Sequence, residues 1–311
     1  MMQIHDQGLR VIDAHIHFFS HQFFQSFLRS RGRHLPEQDP RRLWERPGWD
    51  VPPPDPVELG HRWVKELDRH GVALGVLLTS ILDDEESVAK AVHEFPDRLI
   101  GFLRVDPTRP DAAQRVRHAV ERLGLKGIKG FPAMECFHAY DERVYPVYEE
   151  AQRLGLPVVF HFGLLQSAIG AALNLPSQAD ARFCNPMDLQ RAARDFPRVN
   201  FIVPHFGAGY FRETLLLAAH CPNVFIDTSS ANGWMRYMPF PMDLKLVLQR
   251  ALEIVGPERI IFGTDWSWFP RGFRRDILEE QLSILQALGI AKADIQRIMG
   301  ENLARLLGVT W

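Results

Sequence analysis

The stretch VIDAHIHFF, residues 11–19, places two histidines one residue apart within an otherwise apolar run. Asp13 precedes His15 by two positions, and His17 follows it at the same spacing. Because successive side chains of a β-strand alternate between its two faces, a strand here predicts that all three polar side chains point in one direction. Three coordinating groups along one face of an apolar strand indicate a functional site beside it.

Strand-like and helical segments alternate along the rest of the chain. Short apolar runs, typical of parallel strands covered by helices on both faces, occur at residues 11–19, 72–80, 97–107, 125–132, 156–163, 199–207, 223–230 and 258–265. Helical patterns follow them, with a long interruption after the first. Eight such units predict an α/β fold, a (β/α)8 TIM barrel forming a single domain over residues 1–311. A doubly wound open sheet is the rival, but it should carry a glycine-rich turn after the first strand, where this chain has His-Ile-His.

The interruption covers residues 18–56 and is rich in Phe, Arg and Pro. It is too long for an ordinary connection, which predicts an inserted lid over the barrel mouth. Four aromatic residues within it are expected to help cover a substrate: Phe23, Phe24, Trp44 and Trp49.

Composition restricts the classes of partner. The 311 residues are 46% hydrophobic and 24% charged, with a net charge of −2, which favours neither nucleic acid nor an anionic membrane. The longest apolar run, residues 72–82, is too short to span a bilayer, and we expect no signal peptide in the polar residues 1–10. Three scattered cysteines form neither a disulfide framework nor a CxxC zinc motif. We therefore expect a cytoplasmic protein acting on a small molecule.

Lone polar residues terminate five of the eight apolar runs. They are His15 and His17 on the first, Lys129 on the fourth, His161 on the fifth, His205 on the sixth and Asp265 on the eighth. Each has an ordinary structural explanation, as a buried histidine, a helix cap or an ion-pair partner. In a barrel, however, the carboxyl ends of all strands converge on one mouth, so together these residues predict an active site.

The chemistry of this set suits a divalent metal. His15, His17, His161 and Asp265 would supply three nitrogens and one oxygen, as at catalytic zinc sites that keep one position for water. His205 would then orient or deprotonate that water. We expect one Zn²⁺ per chain, with Mn²⁺ as the alternative, and a catalytic role for His205.

The same pattern resembles the amidohydrolase superfamily. The order D-x-H-x-H, strand-five histidine, strand-six histidine and strand-eight aspartate is similar to its metal pattern. Five segments resemble its amidohydrolase-2 branch: GIKGFP (127–132), LGLPVVFHFG (154–163), FIVPHFGAGYFRE (201–213), VFIDTSS (224–230) and IIFGTDWSWFPRG (260–272). That branch includes aminocarboxymuconate-semialdehyde decarboxylase, lactone hydrolases and hydratases.

The resemblance implies that the same four residues bind the metal and that His205 acts on the metal-activated water. It also implies a catalytic role for Asp265, which would shuttle a proton as well as bind the metal. Lys129 stands where some superfamily members carry a carbamylated lysine that bridges two metals. Because the branch usually holds one metal, Lys129 is alternatively a substrate contact or an ion-pair partner. The resemblance also suggests a homodimer.

These residues do not separate two reactions. We expect a metal-dependent hydrolase that cleaves a C–N or C–O bond of a small cyclic or carboxylate-bearing substrate. A non-oxidative, metal-dependent decarboxylase of an aromatic or muconate-type acid is the alternative. A catalytically silent metal-binding barrel is the third, which is disfavoured because every expected site residue is present.

Arginine and aromatic residues in the loops after the strands suit a planar carboxylate substrate. The candidates for substrate contact are Arg104, His138, Arg236, Trp266 and Arg271, with Glu135 as a further one. The alternative is that the arginines pair with surface acids and the aromatic residues pack against the lid.

Overall fold

The computed structural model describes residues 8–31, 40–45, 47–165, 168–229 and 232–310. In this part of the chain, eight parallel strands pair with their neighbours in chain order. They are β1 (Ile12–Phe18), β2 (Leu74–Thr79), β3 (Leu99–Arg104), β4 (Ile128–Gly130), β5 (Val158–Phe160), β6 (Phe201–Val203), β7 (Val224–Asp227) and β8 (Ile260–Ile261). The predicted (β/α)8 barrel is confirmed.

The barrel closes where the end of the sheet returns to β1. The amide of Ala14 donates to the carbonyl of Phe262 at 3.1 Å, and the amide of His17 donates to the carbonyl of Trp266 at 2.7 Å. Both acceptors lie beyond β8, so the loop after that strand completes the seam with β1.

Helices surround the strands. They are α1 (His21–Arg31), α2 (Pro40–Glu45), α3 (Pro56–His70), α4 (Glu85–Glu94), α5 (Ala112–Glu121), α6 (Pro132–Glu135), α7 (Tyr145–Leu154), α8 (Ala168–Ala172), α9 (Leu189–Asp195), α10 (Phe211–His220), α11 (Leu244–Val255), α12 (Arg275–Ala287), α13 (Lys292–Gln296) and α14 (Asn302–Leu307). Helix α3 shows how local sequence sets the bounds: Asp55 caps the amide of Val57, Pro56 begins the helix, and Gly71 ends it at φ 69°. Within the described ranges, no helix is both long and apolar enough to cross a membrane.

Alternate strand residues face two different apolar layers. Val159, Ile202 and Phe225 belong to a cluster inside the barrel, which Leu303 and Leu307 of α14 also join. The intervening strand residues pack outward against the helices in a larger cluster. Burial on both faces explains why the strands read as continuous apolar runs in the sequence.

The alternation is broken in β1. The pairing register with β2 shifts between Asp13 and Ile16. Ile12 packs with the interior cluster, whereas Ile16 packs with the outer one. The expectation that Asp13 shares a face with His15 and His17 is therefore wrong, because the bulge shifts the alternation between Asp13 and the histidines.

The segment predicted as a lid contains α1 and α2, and residues 32–39 and 46 lie outside the described part of the chain. Its aromatic side chains form an apolar cluster of their own, separate from both barrel layers. We call it the aromatic cluster: Phe23, Phe24, Phe27, Leu43, Trp44, Trp49, Ile169 and Leu173, with Trp268 against its side. Ile169 and Leu173 follow β5, and Trp268 follows β8. The insert therefore packs on loops at the carboxyl end of the barrel.

Candidate metal centre

The site residues, both those predicted from the sequence and Asp227, lie at the carboxyl ends of the strands. Lys129 in β4, His161 directly after β5 and Asp227 at the end of β7 occupy inward-facing positions of the alternation. His205 and Asp265 lie in turns after β6 and β8, with φ of 56° and 58°. Left-handed backbone is uncommon for residues other than glycine and concentrates at functional sites.

Three of the four predicted ligands lie together. One ligand atom each from His15, His17 and Asp265 fall within 4.8 Å of one another. Asp265 Oδ1 lies 3.3 Å from His17 Nε2 and 3.8 Å from His15 Nε2. Two imidazole nitrogens and a carboxylate oxygen are a donor set for a catalytic divalent metal.

His15 is held in one tautomer by its partners. Its Nδ1 lies 2.6 Å from Asp227 Oδ2, so Nδ1 carries the proton and donates it. Its Nε2 is buried and has no hydrogen-bond partner among the described residues. A Cβ at Gly263 would lie 2.9 Å from His15 Cβ, so a glycine is needed beside this pair. A histidine oriented by a carboxylate, with its other nitrogen free, fits a metal ligand.

His205 lies between the other histidines. Its ring centroid is 4.9 Å from those of both His15 and His161. Its Nδ1 donates to the carbonyl of Ser229 at 2.9 Å, which leaves Nε2 unprotonated. The hydroxyl of Ser229 also lies 3.1 Å from His15 Nδ1, so one serine contacts both imidazoles.

His161 lies outside the group of three ligand atoms. Its Nε2 donates to the carbonyl of Leu164 at 3.2 Å, and its ring stacks on Phe131 at 5.8 Å between centroids. The hydrogen bond leaves Nδ1 as its free nitrogen. The role of His161 as a fourth ligand stays a prediction.

Burial controls the charge of the cluster. It lowers the pKa of His15, His161 and His205, so these imidazoles are neutral, as metal ligands and general bases must be. Burial acts to raise the pKa of Asp265, but the hydrogen bond with His17 and the neighbouring histidines hold it below the usual range. The site therefore contains an ionised carboxylate among neutral imidazoles.

Asp13 joins β1 to the loop after β8. Its carboxylate accepts from the amide of His15 at 3.1 Å, the amide of Thr264 at 3.0 Å and the hydroxyl of Thr264 at 2.5 Å. Burial raises its pKa to about 7. Asp13 therefore fixes the backbone on which His15 and Asp265 stand.

Lys129 is fully buried at the mouth. Its Nζ has no hydrogen-bond partner among the described residues and lies 5.0 Å from the centroid of the Phe131 ring. Burial lowers its pKa to about 7. An amine without a partner in this position is available to a ligand.

Arg104 also lies over the Phe131 ring, with its guanidinium carbon 4.6 Å from the centroid. It donates to Glu135 at 2.6 Å and to the carbonyl of Ser80 at 2.6 Å. The Ser80 hydroxyl lies 3.5 Å from His17 Nδ1, which places Arg104 close to the predicted ligands. Arg104 Nε is buried and unpartnered among the described residues.

The other predicted substrate contacts are dispersed. His138 pairs with Asp188 at 2.5 Å, and exposed Arg236 donates to Tyr237 at 2.8 Å. Trp266 is fully buried, with its ring centroid 3.8 Å from that of Trp63. Arg271 donates to the backbone carbonyl of Asp265 at 3.1 Å. Among these residues, Arg271 and Trp266 contact predicted ligands, and both do so through the backbone: Arg271 donates to the carbonyl of Asp265, and the carbonyl of Trp266 accepts from the amide of His17 at 2.7 Å.

Two site residues were not predicted from the sequence, Asp227 and Ser229. The signal for Asp227 was present, because VFID is an apolar strand that ends in a lone aspartate, like the run that ends in Asp265. Ser229 acts through its hydroxyl and its carbonyl, and a serine in a loop gives no comparable signal.

Comparison with protein families identifies the group to which this site belongs. A sequence model described as Amidohydrolase matches residues 12–309. The chain belongs to the amidohydrolase family. The resemblance inferred from the sequence is confirmed, and the protein is an enzyme of this superfamily.

Two curated relatives share parts of the sequence. The fluG protein of Emericella nidulans is 33% identical over 93 residues, or 29% of this chain and 10% of fluG. The chain thus matches only a tenth of that relative's length. The 2-amino-3-carboxymuconate-6-semialdehyde decarboxylase of Dictyostelium discoideum is 23% identical over 270 residues, covering 82% of this chain and 71% of that protein.

Solved structures share the fold over nearly the full chain. The 5-carboxyvanillate decarboxylase of Novosphingobium aromaticivorans, complexed with manganese and 4-hydroxy-3-methoxy-5-nitrobenzoic acid, superposes with a TM-score of 0.68 at 16% identity, covering 99% of this chain and 98% of that one. A Pseudomonas putida protein classed as a 2-pyrone-4,6-dicarboxylic acid hydrolase superposes with a TM-score of 0.62 at 19% identity, covering 96% of this chain and 98% of that one. At these identities the likeness establishes the fold.

Proposed function

We propose that this amidohydrolase is a metal-dependent, non-oxidative decarboxylase of a small aromatic or unsaturated carboxylic acid. The observation that carries the proposal is the group of His15, His17 and Asp265, in which the buried Nε2 of His15 has no hydrogen-bond partner among the described residues and His205 lies beside it. His161 is the fourth ligand in this proposal, through its free Nδ1.

The metal is a divalent ion. When bound, it polarises the substrate or a water molecule as a Lewis acid. Zn²⁺ suits a set of three imidazoles and one carboxylate. Mn²⁺ is the ion in the Novosphingobium decarboxylase complex, so both ions are candidates for this chain.

The protein's own groups bind the substrate and move the proton. Lys129 and Arg104 are two basic groups beside the Phe131 ring, and they suit a planar carboxylate, whose negative charge would favour the protonated form of Lys129. Loss of CO₂ leaves an electron pair on the carbon that carried it, and that carbon must take up one proton. His205 Nε2, whose Nδ1 is fixed by Ser229, accepts a proton from solvent and delivers it there.

Decarboxylation takes precedence over hydrolysis, which the sequence alone favoured. The Dictyostelium relative that matches 82% of this chain is a decarboxylase, and so is the Novosphingobium structure with the higher TM-score of the two described. Hydrolysis of a cyclic carboxylate ester is the second candidate, supported by the fold likeness to the Pseudomonas protein. In that reaction, His205 would instead deprotonate the attacking water.

The insert of residues 18–56 is proposed as a lid in the same reaction. The aromatic cluster packs on the loops after β5 and β8, which border the mouth. A lid there would exclude water from the carbanion-like carbon and favour protonation by His205.

The test begins with metal content and then compares two substrate classes. We expect about one Zn²⁺ or Mn²⁺ per chain by inductively coupled plasma mass spectrometry, lost in the His15→Ala/His17→Ala variant. The metal-loaded enzyme is then offered 2,6-dihydroxybenzoate, 5-carboxyvanillate and 2-pyrone-4,6-dicarboxylate. A decarboxylase run in D₂O releases CO₂ and places one deuterium on the vacated carbon. Opening of the pyrone without CO₂ release would instead establish the hydrolase.

Two variants separate binding from chemistry. His205→Asn should retain the metal while kcat falls by about 10² to 10⁴. Asp265→Ala should lose both metal affinity and turnover, because its carboxylate serves both. Full activity in either variant would remove that residue from the mechanism.

A further inference from the structure

The loop after β8 joins Asp265 to the aromatic cluster of the insert. Arg271 Nη2 donates to the backbone carbonyl of Asp265 at 3.1 Å. The guanidinium of Arg271 lies 3.7 Å from the centroid of the Trp268 ring. Trp268 in turn stacks on Trp49 of the insert, with ring centroids 4.3 Å apart and planes at 21°. An unbroken run of contacts thus leads from the insert to a predicted metal ligand.

The insert is anchored to this loop by its backbone as well. The amide of Asp50, next to Trp49, donates to the carbonyl of Phe269 at 2.9 Å. Trp49 also stacks with Phe19, with ring centroids 6.3 Å apart, and Phe19 stacks with Phe23 of α1 at 4.1 Å. The ring stack therefore extends from α1 to Arg271.

Asp265 needs such support because its backbone is strained. Its φ of 58° lies in the left-handed region, which costs energy for any residue with a side chain. Two donors hold its carbonyl: Arg271 and the hydroxyl of Ser267, the latter at 3.0 Å. The orientation of that peptide determines where the Asp265 carboxylate lies relative to His15 and His17.

The contacts of Arg271 direct its guanidinium to the loop that carries Asp265. One nitrogen is used by the Asp265 carbonyl, and one face is covered by Trp268. Its Nε is buried and unpartnered among the described residues. This geometry differs from that of Arg104, which approaches His17 through Ser80.

We infer that Arg271 is a positioning residue that holds Asp265 in its ligand conformation, and that the Trp49–Trp268 stack couples the insert to the metal centre through it. The inference rests on the proposed function, since it takes Asp265 as a metal ligand. It replaces the expectation that Arg271 contacts the substrate. Displacement of Trp49 from Trp268 would thereby alter metal affinity.

The test measures Zn²⁺ affinity by competition with a chromophoric chelator, which needs no substrate. Arg271→Ala should weaken Zn²⁺ binding by about tenfold, as loss of groups that orient metal ligands does. Arg271→Lys should lose less, because an ammonium can keep one donor and its place over the ring. The matched control is Arg274→Gln in the same loop, whose guanidinium pairs with surface Asp276 at 2.6 Å. It should change Zn²⁺ affinity by less than about threefold.

The coupling has its own measurement. Trp49→Leu should weaken Zn²⁺ binding by itself but add nothing in the Arg271→Ala background, because both act through one path. Additive losses would overturn the coupling. Unchanged Zn²⁺ affinity in folded Arg271→Ala would overturn the positioning role. If that variant does not fold, wild-type Zn²⁺ affinity in both Arg271→Lys and Trp268→Leu would overturn it. Absence of Zn²⁺ and Mn²⁺ binding by the wild-type chain would overturn the proposed function and this inference together.

Discussion

At the scale of single residues, the tautomer of His15 should determine whether the proposed metal can bind. Asp227 accepts the Nδ1 proton of His15 at 2.6 Å and the amide of Ser229 at 2.6 Å. In Asp227→Asn the amide NH₂ can donate to Nδ1 instead, which moves the imidazole proton to Nε2 and blocks coordination. We expect metal affinity to fall by about 10- to 100-fold. Isothermal titration calorimetry with Zn²⁺ measures the affinity, with Asp276→Asn at an exposed position as the control. Unchanged affinity in Asp227→Asn would show that Asp227 does not select the tautomer.

The sequence could predict which side chains reach the mouth but not how they pair there. Lone polar residues at the ends of apolar strands located Lys129, His161, His205 and Asp265. The partner of His15 stands 212 positions away, and only the closed barrel brings Asp227 to it. Trp266, in the same loop as Asp265, points into the core because the seam with β1 turns it there. A loop sequence does not encode that choice between mouth and core.

At the scale of elements, Asp13 ties β1 to the loop after β8 where strand pairing is sparse. Asp13→Ala leaves two amides and one hydroxyl without their acceptor in a buried site. We expect the free energy of unfolding to fall by about 3 kcal/mol. Asp13→Asn keeps an acceptor oxygen and should lose about half as much.

Urea denaturation of the metal-free protein measures the Asp13 effect without contributions from a bound ion. The control is Glu279→Ala, which removes an exposed ion pair with Arg275 and should cost about 0.5 kcal/mol or less. Equal midpoints for Asp13→Ala and Glu279→Ala would mean that Asp13 does not hold the seam.

The insert is expected to unfold locally when its own core is damaged. Trp44 is 2% exposed and packs edge-on against Phe24, with centroids 4.6 Å apart. Trp44→Ala removes this contact from the aromatic cluster but touches neither barrel layer. Deletion of a buried tryptophan costs about 3–5 kcal/mol. Hydrogen exchange should therefore accelerate in residues 19–29 and 169–175 while the barrel strands keep their protection. The control is Phe240→Ala, which changes an exposed side chain. Uniform loss of protection along the chain would contradict a separate aromatic cluster.

At the scale of the whole molecule, the alternation of strands and helices was sufficient to predict the barrel. The prediction succeeded because every parallel strand is buried on both faces and so reads as an apolar run. It could not predict how short the regular strands are: β8 spans only Ile260–Ile261, and the chain then turns toward Asp265. The bulge in β1 was equally hidden, since strict alternation of D-x-H-x-H fits an unbroken strand.

Metal should stabilise the whole barrel because its proposed ligands span the seam. His15 and His17 belong to β1, whereas Asp265 follows β8, and few backbone bonds join these two segments directly. A ligand that binds only the folded state at 100 times its Kd adds about 2.7 kcal/mol. For a chain of this length, the entropy of unfolding converts that gain to a rise of about 4 °C in Tm. Calorimetry of the apo protein with and without Zn²⁺ measures the shift. The His15→Ala/His17→Ala variant should show none, and an equal shift in that variant would place the stabilising ion elsewhere on the molecule.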